Sequence, residues 1–150
     1  MSSASFPGAA PASASVRKSD VVLFPCSFAQ ERLWFLDQLD PSSPLYNIFA
    51  SLRLEGDLDQ KAFAASVQEI VRRHEILRTT FAMSEGRPVQ VVANELKITV
   101  PVIDLTNLPQ ADRDSEARRR AIEESQRPYE VEKGPLLRVQ LLRLAEQEHV

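Results

Sequence analysis

Few residues in this chain belong to the types that carry out chemistry. The sequence has one cysteine, Cys26, and two histidines, His74 and His149, which are too far apart in sequence to indicate a metal cluster. The four glycines are too scattered for a phosphate-binding loop, and no serine stands in a G-x-S-x-G turn. Because no positively charged residue adjoins Cys26 in sequence, we predict a buried or half-buried thiol there and not a nucleophile.

The segment 73–81, Arg-His-Glu-Ile-Leu-Arg-Thr-Thr-Phe, is the strongest candidate for a site. Arg73 and Arg78 flank Glu75 at the predicted end of a helix. Positive side chains there interact favourably with the helix dipole, which is one explanation. The other is that an arginine holds a distant carboxylate through a bidentate pair. His74 falls on the apolar face of the predicted helix and is interpreted as a core histidine.

Composition limits the class of protein. The net charge is −3, apolar residues make up 43% and charged residues 26%, which is typical of a soluble globular domain. No basic patch favours nucleic acid; Arg118–Arg119–Arg120 has acidic neighbours and is interpreted as a solvated helical face. No apolar stretch is long enough to span a membrane. The single cysteine favours a cytoplasmic location.

Residues 1–20, rich in Ser, Ala and Pro, are predicted to be a disordered leader, and residues 21–150 are predicted to be the folded part.

The elements that position these residues can be predicted from periodicity. Ser27 and Gln30 have the spacing of a capping box, so a helix is expected from there to Leu39, with much of its apolar surface buried. Residues 47–54 alternate between two faces and predict a strand. Asp57 or Asp59 can cap a second helix. Its apolar face is expected to hold Phe63, Val67, Ile70, Val71, His74 and Leu77.

The rest of the chain predicts four strands, one helix and the beginning of a fifth strand. Residues 78–83 and 88–92 flank a glycine-containing loop and predict a β-hairpin. Further strands are expected at 98–102 and 136–144, separated by a surface helix at 112–126 with a Glu116–Arg120 ion pair. His149 and Val150 are expected to open a return strand. The predicted fold class is α+β, a mixed sheet with flanking helices, incomplete at the C-terminus because the return strand has barely begun.

Two long segments carry a family resemblance. Residues 27–36, Ser-Phe-Ala-Gln-Glu-Arg-Leu-Trp-Phe-Leu, resemble the first core motif of nonribosomal peptide synthetase condensation domains, S-x-A-Q-x-R-L-W-x-L. Residues 73–81 resemble their second, R-H-E-x-L-R-T-x-F, at every fixed position. The likeness runs from about residue 24 to 150. We expect a structural role for the following residues of the two motifs: Ser27, Gln30, Arg32, Trp34, His74, Glu75 and Phe81.

The resemblance implies part of a two-lobed fold of the chloramphenicol-acetyltransferase type. It also implies amide formation between two thioesters that carrier proteins present on phosphopantetheine, with no cofactor bound directly. The family's third motif, H-H-x-x-x-D-G, is missing here, so no catalytic residue is expected in this chain. The expected partners are peptidyl or acyl carrier proteins, the remainder of the domain and downstream synthetase modules. In the family an arginine of the second motif holds the third-motif aspartate; by position this is Arg73, with Arg78 a second candidate.

These expectations leave alternatives open. The initiating Met1 suggests the start of a polypeptide whose continuation supplies the missing motif, and the 150 residues alone are then expected to be inactive and marginally folded. The chain could instead be a short non-catalytic protein or gene remnant that binds carrier proteins or a partner lobe. Epimerising and cyclising relatives share the same motifs, and neither donor nor acceptor can be deduced from the sequence.

Overall fold

The structure, a computed structural model, describes residues 17–18 and 21–150 and contains two four-stranded sheets. The strands of the first sheet are β1 (Arg17–Lys18), β2 (Val21–Pro25), β4 (Thr79–Ser84) and β5 (Arg87–Ala93). They lie in the order β1-β2-β5-β4, and every pair is antiparallel. Apart from the two residues of β1, the predicted leader lies outside the described residues.

The β4–β5 hairpin confirms the prediction made from its turn. Thr79 pairs with Val92 at the open end, and Ser84 with Arg87 at the turn. The two residues between them, Glu85 and Gly86, have positive φ angles of 51° and 78°. Two consecutive left-handed residues match the right-handed twist of the strands, so the turn fixes the register locally.

The second sheet has the order β3-β8-β7-β6 and is mixed. Its strands are β3 (Leu54–Glu55), β6 (Val102–Asp104), β7 (Leu141–Ala145) and β8 (Glu148–His149). The β6–β7 pair is parallel, and the other two pairs are antiparallel. The parallel pair is joined through helix α3 (Gln110–Ser125), because parallel neighbours need a crossover connection.

The first two helices begin as the sequence predicts, whereas the third helix begins at Gln110, before the predicted start at residue 112. In α1 (Phe28–Leu39) the capping box of Ser27 and Gln30 is complete. In α2 (Gln60–Arg73) the Asp59 carboxylate accepts hydrogen bonds from the main-chain N–H groups of Lys61 and Ala62, which satisfies donors that have no partner within the helix. On α3 the Glu116–Arg120 ion pair is present at 2.7 Å.

The main core lies between α3 and the second sheet. It contains Leu105, Ala117, Leu142 and Leu144, with Ile103, Leu108 and Val150 packed against it. Arg113 of α3 closes the edge of this core by donating to the main-chain oxygens of Leu108, Thr106 and Leu144. Among the described residues, no helix is both long and apolar enough to cross a membrane.

Two sequence predictions are wrong in extent. No residue of α1 is buried; Phe28 is 91% exposed, because no described element covers its outer face. The strands predicted at 47–54 and 136–144 are shortened to their C-terminal ends, at Leu54–Glu55 and Leu141–Ala145, and the strand predicted at 98–102 is displaced to Val102–Asp104. Alternating side chains do not suffice for a strand, since each strand also requires a hydrogen-bonded neighbour.

Candidate functional site

The two motif segments meet at one apolar groove. This groove, which we call the α1 groove, has a volume of about 530 Å³ and runs between α1 and β4. The first motif contributes Leu33 and Trp34, and the second contributes Phe81. The wall opposite α1 is completed by Tyr129, Val131 and Leu136. Phe81 is fixed there because its main-chain N–H donates to Val131 at 3.0 Å.

Gln30 attaches α1 to the first sheet. Its Oε1 accepts from the main-chain N–H of Ser27 at 2.8 Å, and its Nε2 donates to Gln90 Oε1 at 3.0 Å. Gln90 in turn donates to the main-chain oxygen of Pro25 at 3.0 Å. The first-motif glutamine is therefore both a helix cap and a tie to β5. Sequence reasoning missed Gln90, although a lone polar residue within the apolar run Val89–Val92 was a usable signal.

Arg73, the first choice from sequence, already has a partner. It lies at the last position of α2 with its side chain 67% exposed, and its Nε donates to Glu69 Oε1 at 2.7 Å. Arg72 donates to the same carboxylate at 2.6 Å and 2.8 Å. Hydrogen bonds from these two guanidinium groups lower the pKa of Glu69 to about 2. The three residues form a surface network at the helix end, as the dipole explanation predicts.

Arg78 is in a different environment. Its side chain is only 12% exposed, and it is the last residue of a 3₁₀ turn, Glu75–Arg78, that separates α2 from β4. One terminal nitrogen donates to the main-chain oxygen of Ala93 at 3.2 Å, and the other lies 3.3 Å from Glu75 Oε1. Its buried Nε has no hydrogen-bond partner among the described residues. Arg78 thus has a buried, unused donor, which Arg73 lacks.

The remaining predicted site residues are dispersed. His74 is wrong as a core histidine: α2 ends at Arg73, so His74 is its exposed C-cap residue. Arg32 is exposed on α1. Glu75 accepts from the Thr79 hydroxyl through its main-chain oxygen at 2.8 Å, which fixes the 3₁₀ turn. Within 21–150, no group of three His, Cys, Asp or Glu residues could hold a metal ion.

Cys26 and Trp34 are the other groups of chemical interest. Cys26 is half-buried, as predicted. Burial, and secondarily the nearby Glu31 charge, raises the pKa of its thiol, which disfavours the thiolate that a nucleophile requires. The Trp34 ring lines the α1 groove, and its buried Nε1 has no partner among the described residues. A buried indole N–H usually has one, so this wall of the groove is incomplete.

Solved condensation domains share this architecture. The starter condensation domain of rhizomide synthetase RzmA matches with a TM-score of 0.76 and 30% identity, over 85% of this chain and 30% of that chain. A variant of that domain has been solved in complex with C8-CoA and Leu-SNAC. The first condensation domain of the CDA synthetase, 22% identical with a TM-score of 0.74, supports the fold alone. The fold is therefore that of part of a condensation domain, a chloramphenicol-acetyltransferase-like α+β arrangement.

The sequence comparisons identify the family. The condensation domain model matches residues 22–150, and the chain belongs to that family. A linear gramicidin synthase of Brevibacillus parabrevis is 52% identical over 126 residues. Phosphinothricin tripeptide synthetase PhsC of Streptomyces viridochromogenes is 44% identical over 124 residues. These matches cover 84% and 83% of this chain but 2% and 11% of the two relatives. The family resemblance seen in the two motifs is confirmed.

Proposed function

We propose that this chain forms one wall of a site where an amine attacks a thioester. The parent reaction joins two carrier-bound substrates: a C–N bond forms, the C–S bond breaks, and the donor's pantetheine leaves as a thiol while the amine loses a proton. The observation that carries this proposal is that both family motifs, which are distant in sequence, contribute side chains to the α1 groove: Leu33 and Trp34 from the first and Phe81 from the second. An apolar groove open along one side suits a pantetheine arm and its acyl chain. The mutant RzmA starter condensation domain that was solved in complex with C8-CoA and Leu-SNAC supports this assignment.

The chain supports this reaction without supplying its proton-transfer group. General base catalysis needs a group within hydrogen-bond reach of the attacking amine. Neither histidine meets that need, since His74 is exposed at a helix end and His149 is buried in β8, and neither lines the α1 groove. The resemblance assigns that role to the H-H-x-x-x-D-G motif, which this sequence does not contain. We expect the isolated chain to be inactive.

Arg78 is the arginine that we assign to hold the third-motif aspartate. It has a buried, unpartnered Nε, and a carboxylate approaching the guanidinium edge could use that donor together with a terminal nitrogen. Arg73 is engaged by Glu69 at the surface. This difference in burial and pairing is our reason for proposing Arg78 in preference to Arg73, the first choice from sequence position. In this role Arg78 is a positioning residue, because it acts on the loop that holds the catalytic histidine.

Conservative substitutions in a complete condensation domain that carries residues 22–150 test this assignment. Arg78→Lys keeps the positive charge but loses the planar guanidinium group that can donate two hydrogen bonds to one carboxylate. We therefore expect kcat to fall by about 100-fold, the effect typical of a misplaced catalytic group, with KM nearly unchanged. The matched control, Arg73→Lys, is expected to retain activity. Equal effects of the two substitutions, or a KM effect alone, would contradict the assignment.

A direct assay tests the inactivity of the chain. The purified 150-residue protein is mixed with two carrier proteins loaded with a donor acyl thioester and an acceptor aminoacyl thioester, and amide product is measured by mass spectrometry. We expect no product above the uncatalysed background. Product at a rate that depends on this chain would mean that it contains its own catalytic group. The partners and a cytoplasmic location follow from the same proposal, with carrier proteins as the source of phosphopantetheine.

A further inference from the structure

The side of the α1 groove opposite α1 belongs to a connection that has neither helix nor strand. Residues 126–140 join α3 to β7. The part that we call the wall segment, residues 128–136, contributes Tyr129, Val131 and Leu136 to the groove. A connection of this kind has no hydrogen-bond ladder of its own to fix its course. The position of the groove wall therefore depends on individual contacts.

The C-terminal half of the wall segment is fixed to β4. The main-chain N–H of Phe81 donates to the main-chain oxygen of Val131 at 3.0 Å. The backbone of Gly134 passes so close to Thr80 that a Cβ at Gly134 would lie 2.7 Å from a side-chain carbon of Thr80. These contacts place Val131 and its neighbours against the sheet, but they do not reach Tyr129.

The N-terminal half of the wall segment is fixed by Arg138. The terminal nitrogens of Arg138 donate to the main-chain oxygens of Arg127 at 2.7 Å and Pro128 at 3.0 Å, and its Nε pairs with Glu124 of α3. The same guanidinium group lies over the Tyr129 ring, with Cζ 3.7 Å from the ring centroid. A planar group with donors along its edge can bind carbonyls and stack on an aromatic ring at the same time, which a lysine ammonium cannot do.

The Arg127 carbonyl also joins this wall to the segment that follows α1. Asn47 Nδ2 donates to that carbonyl at 2.9 Å and to the main-chain oxygen of Ser125 at 3.0 Å. Asn47 and its neighbour Tyr46 both line the α1 groove. A carbonyl oxygen has two lone pairs and can accept from two donors. The Tyr46 side and the Tyr129 side of the groove are therefore linked by hydrogen bonds made within this chain.

We propose that Tyr129 is a specificity-determining residue of the α1 groove and that Arg138 is the positioning residue that holds it there. This inference rests on the proposed function, since it takes the groove to receive the acyl chain of the donor thioester. An aromatic ring supplies a large apolar contact area, and a long acyl chain can use more of that area than an acetyl group can. A ring that is fixed before the substrate arrives loses little conformational entropy on binding.

Hydrogen exchange on the 150-residue chain tests the positioning role. The N–H groups of Lys133 and Gly134 donate to the main-chain oxygen of Glu130 at 3.1 Å and 2.8 Å, and Glu130 directly follows the ring that Arg138 holds. We expect Arg138→Lys to speed exchange of these two amides by about tenfold or more, with the amides of α3 unchanged. The matched control is Arg143→Lys, the same change in β7 at a residue that does not line the α1 groove. Equal exchange rates in the two variants would overturn the positioning role.

Competition between two donors tests the specificity role. The protein is the RzmA starter condensation domain with residues 22–150 of this chain in place of the matching segment. C8-CoA competes with acetyl-CoA for the acceptor Leu-SNAC, and the two amides are measured by mass spectrometry. Their ratio does not depend on the folded fraction, because the same active molecules form both products.

Two substitutions of the ring give the expected contrast. We expect Tyr129→Leu to lower the ratio of C8 product to acetyl product by about fivefold or more, which corresponds to losing the contact of little more than one methylene group. Tyr129→Phe keeps the ring and is expected to retain the ratio. A ratio that is unchanged or raised in Tyr129→Leu would overturn the specificity role, whatever the effect on the overall rate.

A double substitution tests whether Arg138 acts through the ring. Arg138→Lys alone is expected to lower the product ratio, and it is expected to add nothing in the Tyr129→Leu background. Additive effects would mean that the two residues act independently and would contradict the proposal. In a chimaera that forms no amide, the proposed function fails, and the same ratio is then taken from the dissociation constants of C8-CoA and acetyl-CoA. Failure of this inference and failure of the proposed function are therefore distinguishable.

Discussion

Replacing the buried histidine of β8 is expected to stabilise the isolated chain. His149 is 2% exposed, and both of its ring nitrogens lack a partner among the described residues. A neutral imidazole has one donor and one acceptor, and leaving such a buried group unsatisfied costs about 1–3 kcal/mol. His149→Leu removes both polar atoms at similar volume. After allowing for imperfect packing of the new side chain, we expect a gain of about 1–2 kcal/mol in the free energy of unfolding.

The assay is urea-induced unfolding followed by far-UV circular dichroism, with thermal unfolding in parallel. For a chain of this length the gain corresponds to a rise in Tm of about 2–8 °C. The matched control is His74→Leu, which changes the same residue type at an exposed helix end and should alter stability by less than about 0.5 kcal/mol. A loss of stability in His149→Leu would refute the reasoning, because it would mean that the imidazole nitrogens make favourable contacts in the folded chain.

Three further predictions follow from single contacts. Asp59→Ala should cost about 1 kcal/mol of unfolding free energy because it removes the cap of α2, and Asp59→Asn should restore most of it; equal losses would contradict the capping role. Hydrogen bonds from Arg119 and Arg120 lower the pKa of Glu116 to about 2 from 4.5, so its stabilising contribution is complete above pH 4.5 and disappears as the pH falls toward 2. Glu116→Gln should therefore reduce the acid-induced loss of stability over that range, measured by thermal unfolding at several pH values, and an unchanged pH profile would contradict the prediction. Gly134→Ala should destabilise by more than about 1 kcal/mol in urea unfolding, because φ is +65° and a Cβ would lie 2.7 Å from a side-chain carbon of Thr80. The control Gly86→Ala, also at positive φ but in open space, should cost less, and an equal cost would exclude the clash.

The parts of the fold that depend on local sequence were predictable. Ser27 and Gln30 satisfy the first turn of α1 within four residues, and Glu85–Gly86 closes a hairpin between adjacent strands. Asp59 caps α2 in the same local manner. These contacts need no information from distant parts of the chain, so spacing and residue type were sufficient.

The parts that depend on distant partners were not predictable from periodicity. Residues 47–53 and 136–140 alternate as well as the strands that did form, but the position between them is filled only at its β8 end. The apolar surface of α1 likewise predicts burial that this chain does not provide. Both mismatches have the same physical origin. The hydrophobic pattern of a segment indicates which of its surfaces would be buried, but it does not indicate whether another element is present to cover that surface.

The candidate site, like the fold, was only partly predictable from the sequence. The motifs located the α1 groove, yet periodicity placed His74 on a helical face because nothing in the pattern shows that α2 stops at Arg73. Sequence position ranked Arg73 ahead of Arg78 but carried no information on the burial of either side chain. The structure shows how the two differ, since Arg78 is 12% exposed with an Nε unpartnered among the described residues and Arg73 is 67% exposed and paired with Glu69. Our proposal of Arg78 is based on that difference.

The measurement that tests the central claim most directly is a segment exchange. Residues 22–150 replace the matching segment of a related, active condensation domain, and amide product is measured from two loaded carrier proteins. The account predicts that the chimaera forms the amide at a rate within about tenfold of the parent domain, because this chain contributes the wall and the arginine while the parent contributes the catalytic histidine. A folded chimaera that binds both carriers and forms no amide would contradict the claim that these residues complete a condensation site.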